Sequence, residues 1–217
     1  GMHRLKDLGR PEQIFQLQAA GLPAEFAPLR SLGNPALANN LPAQLSSFIG
    51  REPEVAEVRG LVESCRLVTL TGAGGAGKTR LGLQVAAELL DGFGDGVWLV
   101  ELAAVTNEDV VAPAISEALR LAGQPGRPVL EALLDALAPQ DVLIVLDNCE
   151  HLIGGCAKTA EAILRRCPRV HLLATSREPL GISGETIYRV PSMSLPEPGD
   201  PGSWTPGSSD AVALFVD

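Results

Sequence analysis

Eight consecutive residues, Gly72-Ala73-Gly74-Gly75-Ala76-Gly77-Lys78-Thr79, satisfy the spacing G-x-x-x-x-G-K-[ST] at every required position. Each residue type has a physical task. Glycines let successive backbone N–H groups turn inward as a nest for anions. The helix that opens at Gly77 adds its positive N-terminus. Lys78 brings a point charge to terminal phosphates, and the Thr79 hydroxyl is a hard-cation ligand suited to Mg2+. With 23 Gly, 3 Lys and 20 Ser plus Thr in the chain, chance yields only about 0.003 such matches over its length. Lysine is scarce, at Lys6, Lys78 and Lys158 against 14 arginines, so a lysine at this position is informative.

Three further groups could complete the chemistry. Val142-Leu143-Ile144-Val145-Leu146-Asp147 ends an apolar strand in an acid, which places a carboxylate at the crevice where open α/β sheets bind ligands. There Asp147 can hold Mg2+, the alternative being a cap on the next helix. Glu150 is the nearby carboxylate able to take a proton from water, or else a first-turn charge facing a helix dipole. Asn148 could orient water but not deprotonate it. Arg177, after Ala174-Thr175-Ser176, can reach a terminal phosphate bidentately, or else pair on the surface with Glu178. Ser47-Phe48-Ile49-Gly50-Arg51-Glu52 sets an apolar pair and a turn ahead of these, and by spacing alone is only the approach to a helix.

These groups need a scaffold, and the periodicity supplies one. Short apolar runs at Leu67 to Leu70, Val97 to Val100, Val142 to Leu146, Val170 to Ala174 and Thr186 to Val190 read as strands. Between them lie helical stripes: 79–90 with Leu81, Val85 and Leu89; 108–121 with Val111, Ile115, Ala118 and Leu119, where Pro113 limits or kinks the start; about 128–138; and one carrying Cys156, Ala160, Ile163, Leu164 and Cys167. Alternating strands and helices imply parallel crossovers and a sheet covered on both faces. The expected fold is an α/β sandwich.

Residues 1–45 are proline-punctuated and read as a tail and linker, with one strand expected within Gln13 to Leu17. The domain proper is expected over 46–190, a Pro/Gly-rich linker over 191–208, and the capped beginning of a further helical domain over 209–217. Gly1 before Met2 reads as a protease scar, so a piece of a longer protein is expected. The net charge of −9 without a basic cluster argues against nucleic-acid binding by this segment. No apolar run approaches a membrane span or a secretory signal. Cys65, Cys149, Cys156 and Cys167 lack metal-ligand spacing and read as buried thiols of a reducing, cytoplasmic compartment.

Taken together, Phe48-Ile49-Gly50-Arg51-Glu52, Gly72 to Thr79, Leu146-Asp147-Asn148 and Thr175-Ser176-Arg177 resemble the NB-ARC-type signal-transduction ATPases with numerous domains (STAND). Leu146-Asp147-Asn148-Cys149-Glu150-His151 and Thr175-Ser176-Arg177-Glu178-Pro179-Leu180 are similar to the bacterial branch found in large transcriptional regulators, often with a LuxR-type helix-turn-helix. His3 to Leu17 resembles the last strand of a class III nucleotide cyclase domain. The resemblance implies an AAA+/NB-ARC-like P-loop sandwich with a five-stranded parallel sheet in order 5-1-4-3-2. It implies ATP or ADP with Mg2+ as ligands, with Gly50 and Arg51 at adenine. Gly72, Gly74, Gly75, Ala76, Gly77, Lys78, Thr79 and Arg80 would hold the nucleotide. Thr79 and Asp147 would hold Mg2+, and Lys78 and Arg177 would meet the phosphates, with Glu150, from the residue reading above, as the candidate catalytic base for water.

In that family a second acid often follows the strand-end aspartate, and here Asn148 stands there instead. By the same resemblance, the family's nucleotide-clamping lobes are expected beyond Asp217. The expected function is therefore an ATP-binding, slowly hydrolysing switch in a cytoplasmic regulator. Its expected partners are other domains of its own chain, DNA only through the full-length protein, and ATP-dependent self-association. A small P-loop phosphotransferase and a nucleotide-holding scaffold without turnover are the alternatives. Against the first, Arg189 alone remains after Arg177 to serve a lid.

Overall fold

The computed structural model describes residues 2–3, 12–13, 15, 38–42, 50–121 and 126–192. Five strands, β1 (Leu67–Thr71), β2 (Val97–Glu101), β3 (Leu143–Asp147), β4 (His171–Ser176) and β5 (Thr186–Arg189), form one sheet. Their order is β2-β3-β4-β1-β5 and every pair is parallel. This is the expected 5-1-4-3-2 ladder read from its other edge. The central strands are buried almost throughout, as continuous apolar runs require when both faces are covered.

Helices cover the two faces. On one side α1 (Glu52–Ser64) and α2 (Lys78–Glu88) bury Val55, Val58, Val62, Leu81 and Val85 against Val68, Leu70, Val145 and Leu173. On the other, α3 (Val111–Ala118), α4 (Val129–Leu137) and α5 (Ile153–Arg166) pack Ile115, Leu133, Leu137 and Ile163 on Leu67, Ile144 and Leu172. The 108–121 stripe splits into a short 3-10 turn, Glu108–Val110, and α3. The Asn107 carboxamide accepts from Asp109 N at 3.0 Å to open the turn. Pro113 sits in the first turn of α3, where its missing N–H has no intrahelical partner to lose. Arg66 closes the far end of α5, donating to the carbonyls of Leu164 (2.8 Å), Cys167 (2.6 Å) and Val170 (3.3 Å).

Residues 38–42, within the expected tail and linker, run along the outer edge of β2. Val97 N donates to Ala38 O at 3.0 Å, and the Asn40 side chain bonds both Leu99 O (2.8 Å) and Leu99 N (2.6 Å). The edge backbone of β2 is thereby partnered, and Leu41 is buried beneath it. Nearer the start, Met2–His3 and Glu12–Gln13 form a short antiparallel ladder. Of the strand expected within Gln13 to Leu17, Gln13 is in this ladder and Phe15 is outside any strand. Most of the His3 to Leu17 stretch, Phe48 and Ile49, and everything after residue 192 lie outside the described residues. One correction concerns cysteine. Cys149, Cys156 and Cys167 are buried free thiols, but Cys65 is half-exposed at the end of α1, where contacts with Thr186 and Ser64 lower its pKa. Among the described residues no helix is long and apolar enough to cross a membrane.

Candidate functional site

Sheet order decides what can meet. Because β4 lies between β1 and β3, the carboxyl ends of these three strands open side by side. The loop from Gly72 to Gly77 leaves β1 at this rim and turns directly into α2. Gly77 adopts a left-handed φ of 80° as the residue before the helix, and a Cβ there would lie 3.3 Å from the Arg51 guanidinium. Glycine is favoured there by its left-handed backbone, and the space for a side chain is tight. The Lys78 side chain is largely buried and folds back over the loop, with Nζ 3.0 Å from Gly72 O and 2.9 Å from Ala73 O.

Opposite the loop, Asp147 ends β3. Its Oδ1 accepts from Thr79 Oγ1 at 2.7 Å and from Thr175 Oγ1 at 2.6 Å. Thr175 also accepts from Asn148 N at 2.9 Å, so one hydroxyl fixes both the acid and the turn after it. Asp147 therefore bonds toward the loop, and no side-chain cap holds the 3-10 turn Cys149–His151 that follows. Asn148 carries the chain into that turn at φ 67°, ψ 52°. Among non-glycine residues Asn is one that tolerates this left-handed conformation. His151 Nε2 lies 2.7 Å from Val105 O and 3.1 Å from Leu102 O, two acceptors, which places the ring proton on Nε2. Nδ1 is left to accept from Asn148 Nδ2 at 3.4 Å. The Asn148 amide nitrogen is thus engaged with His151.

Arg177 begins just beyond β4. Its Nε donates to Glu150 Oε1 at 3.1 Å, and its Nη2 would stand 3.9 Å from a Cβ at Gly74. The guanidinium thus lies between the phosphate loop and the Cys149–His151 turn, paired with Glu150 and not with Glu178. Glu150 Oε2 is buried and has no hydrogen-bond partner among the described residues.

Gly50 and Arg51 both have left-handed backbone, with φ 67° and 65°, at the entry to α1. The Arg51 side chain is 6% exposed and turns under the loop. Its Nη1 donates to Ala76 O at 2.8 Å and its Nη2 to Pro191 O at 2.9 Å. Arg51 thereby ties the phosphate loop to the segment leaving β5, with Nε buried and unpartnered among the described residues. Arg80 is exposed on the first turn of α2.

The structure therefore brings Gly72 to Thr79, Asp147, Glu150 and Arg177 to one rim, with Arg51 directly beneath it. Sequence reasoning missed two parts, the Thr175 hydroxyl and the His151 ring. A hydroxyl residue in register beside the strand-end acid was the available signal for Thr175. His151 gave none, because its partners lie 46 and 49 residues away in the β2–α3 connection.

The donor set suits nucleotide and Mg2+. The hydroxyl and carboxylate of Thr79 and Asp147 are hard oxygen donors, and Mg2+ takes few protein ligands beside substrate phosphates. No group of three or more His, Cys, Asp or Glu side chains among the described residues could hold a metal by itself. A shared site of this kind does not require one.

The chain is similar to several known proteins. An uncharacterized protein of Mycobacterium tuberculosis is 43% identical over 173 residues, covering 80% of this chain and 41% of its own length. Another protein of that organism, whose name proposes an HTH-type transcriptional regulator, is 42% identical over 160 residues, covering 74% of this chain and 17% of its own. The chain thus spans less than half the length of these relatives. Among solved structures, the Aeropyrum pernix ORC1 protein in complex with DNA superposes with a TM-score of 0.52 at 22% identity, over 66% of this chain and 46% of that one. A STAND protein with a tetratricopeptide repeat sensor from Pyrococcus horikoshii gives 0.48 at 16% identity, over 66% of this chain and 23% of that one. The family model for the AAA domain matches residues 61–182, from α1 through the strand ends that form this rim, and on that match the chain belongs to the AAA-domain family of P-loop NTPases.

Proposed function

We propose that residues 46–190 form an ATP-binding, slowly hydrolysing switch within a longer transcriptional regulator. The observation that carries this reading is the 2.7 Å bond from Thr79 to Asp147, which joins the end of the phosphate loop to the strand-end acid at one point. In this reading the backbone of Gly72 to Gly77 cradles the phosphates, and Lys78 swings from the loop carbonyls onto the terminal ones. Thr79 and Asp147 would hold Mg2+, which offsets phosphate charge. Arg177 meets the γ-phosphate, Glu150 accepts the proton of the attacking water, and Arg80 borders the phosphates. Gly50 and Arg51 border the adenine end, while Arg51 also holds Ala76 in place.

The relative named as an HTH-type regulator supports placing the domain inside a regulator chain. A linker at 191–208, a helical domain from 209, a LuxR-type DNA-binding domain, an upstream cyclase-like domain, a cytoplasmic setting and ATP-dependent self-association complete the proposal. The net charge of −9 over the 217 residues supports assigning DNA contact to the full-length protein and not to this segment.

The test is titration of labelled ATP against the protein and its Lys78→Ala variant. Affinity should fall by about two orders of magnitude, the scale of removing a charge from a desolvated ionic contact. Equal affinity would overturn the assignment.

A further inference from the structure

Building on that reading, we infer that Glu150 sets the preference of the site for ATP over ADP by holding Arg177 until a γ-phosphate competes for it. The two side chains are matched for such an exchange. Arg177 is 68% exposed, whereas Glu150 is 18% exposed. They share a single bond, from Nε to Oε1 at 3.1 Å. An ion pair with one solvent-exposed partner contributes little net stability. A guanidinium meeting a phosphate with two parallel bonds is held more strongly. Arg177 already lies against the loop, with Nη2 beside Gly74, so the exchange requires side-chain rotation only.

The Glu150 end is built to stay where it is. It sits in the short turn fixed by Asn148, by Thr175 and by the His151 ring on the β2–α3 carbonyls. Its Oε2 is already buried without a partner among the described residues. Losing Arg177 removes the described donor to Oε1 while Oε2 stays buried without one, which is unfavourable for a carboxylate mostly withdrawn from solvent. The γ-phosphate must offset that cost and ADP cannot, so Glu150 lowers the ATP preference that Arg177 creates. A water donating to Glu150 would repay part of this cost, which couples γ-phosphate recognition to the placement of the attacking water.

The experiment is a double-mutant cycle in the ratio of ADP to ATP dissociation constants, measured calorimetrically with Mg2+. Glu150→Gln keeps the shape of the side chain and removes the charge. It should raise the ratio by about two- to fivefold, the factor corresponding to a weak ion pair, and Glu150→Ala should move it the same way. Arg177→Ala should lower the ratio toward one. Adding Glu150→Gln to Arg177→Ala should then produce no further change. A ratio that falls in Glu150→Gln would show that Glu150 presents Arg177 to the phosphate, and would overturn the proposal. So would an equal gain with Arg177 absent, which would mean a general charge effect. If Lys78→Ala leaves both affinities intact, the nucleotide-site reading fails. If Lys78→Ala abolishes binding and the cycle shows no coupling, this inference alone fails.

Discussion

Between Gly72 and Thr79 the candidate site is made of backbone from one uninterrupted stretch, whereas its opposite rim is made of side chains delivered by two strands and a turn. The loop depends on conformational permission. Gly72, Gly75 and Gly77 have positive φ, which lets N–H groups converge, and the loop's only long side chain is Lys78. The far rim depends on register. Asp147 receives Thr79 from 68 residues away and Thr175 from 28, and Glu150 receives Arg177 from 27. A loop of this kind tolerates changes in its surroundings but not in its backbone. The rim should show the reverse.

The largest effect should come from breaking the loop's conformation. Gly77→Val puts a β-branched residue at φ 80° and a Cβ against Arg51. A loss of about 2–3 kcal/mol in unfolding free energy is expected, together with loss of measurable nucleotide binding. Gly75→Ala is the internal control. Its φ is 78°, but a Cβ there meets nothing within 4 Å, so only the backbone cost of about 1 kcal/mol should appear. Urea unfolding of both variants checks the pair, and equal losses would remove the role given to Arg51 packing.

A smaller effect is expected on the rim. Thr175→Val preserves shape and branching but removes the hydroxyl shared by Asp147 and Asn148. It leaves the Asn148 N–H without that partner, at a cost of about 1–2 kcal/mol. ATP affinity in Mg2+ should weaken more than affinity without it, because the acid loses its orientation.

The smallest effect lies behind the loop, on β5. The Tyr188 hydroxyl donates to Glu57 of α1 at 3.1 Å. Burial, with that carboxylate second, raises its pKa from the ordinary 10 to about 12. The folded protein therefore keeps a proton that the unfolded chain releases. The resulting stability is complete below pH 10 and is lost as pH rises from about 10 to about 12. Tyr188→Phe should flatten this part of a stability-against-pH curve while leaving nucleotide binding in place.

The same contrast explains what could be read from the sequence. The phosphate loop is contiguous, so its residue types and spacing sufficed. Asp147 was visible because an acid closing an apolar run marks a strand end, and the sheet order followed once the family resemblance was recognised. Arg177 was placed at the rim, but its partner was not. The ion pair forms not with Glu178, adjacent in sequence, but with Glu150, which arrives through a turn that depends on Asn148 adopting left-handed backbone. Arg51 was assigned to the adenine side from resemblance. Its bond to Pro191, across 140 residues, could not be foreseen, because it depends on β5 pairing with β1. The segment at 38–42 reads as linker because Pro23, Pro28, Pro35 and Pro42 forbid a continuous element. What seats it on β2 is a backbone bond from Val97 to Ala38 together with one asparagine satisfying both polar groups of Leu99.

In the proposed switch, loop and rim serve one ligand through Thr79 and Asp147. The most direct test measures ATP affinity with and without Mg2+ in the protein and in Asp147→Asn, a change that keeps the shape and removes the charge. Mg2+ should strengthen ATP binding in the unaltered protein, and that gain should vanish in Asp147→Asn while binding without Mg2+ persists on the loop. A full Mg2+ gain in Asp147→Asn would contradict the account, since the rim acid would then play no part in holding what the loop binds.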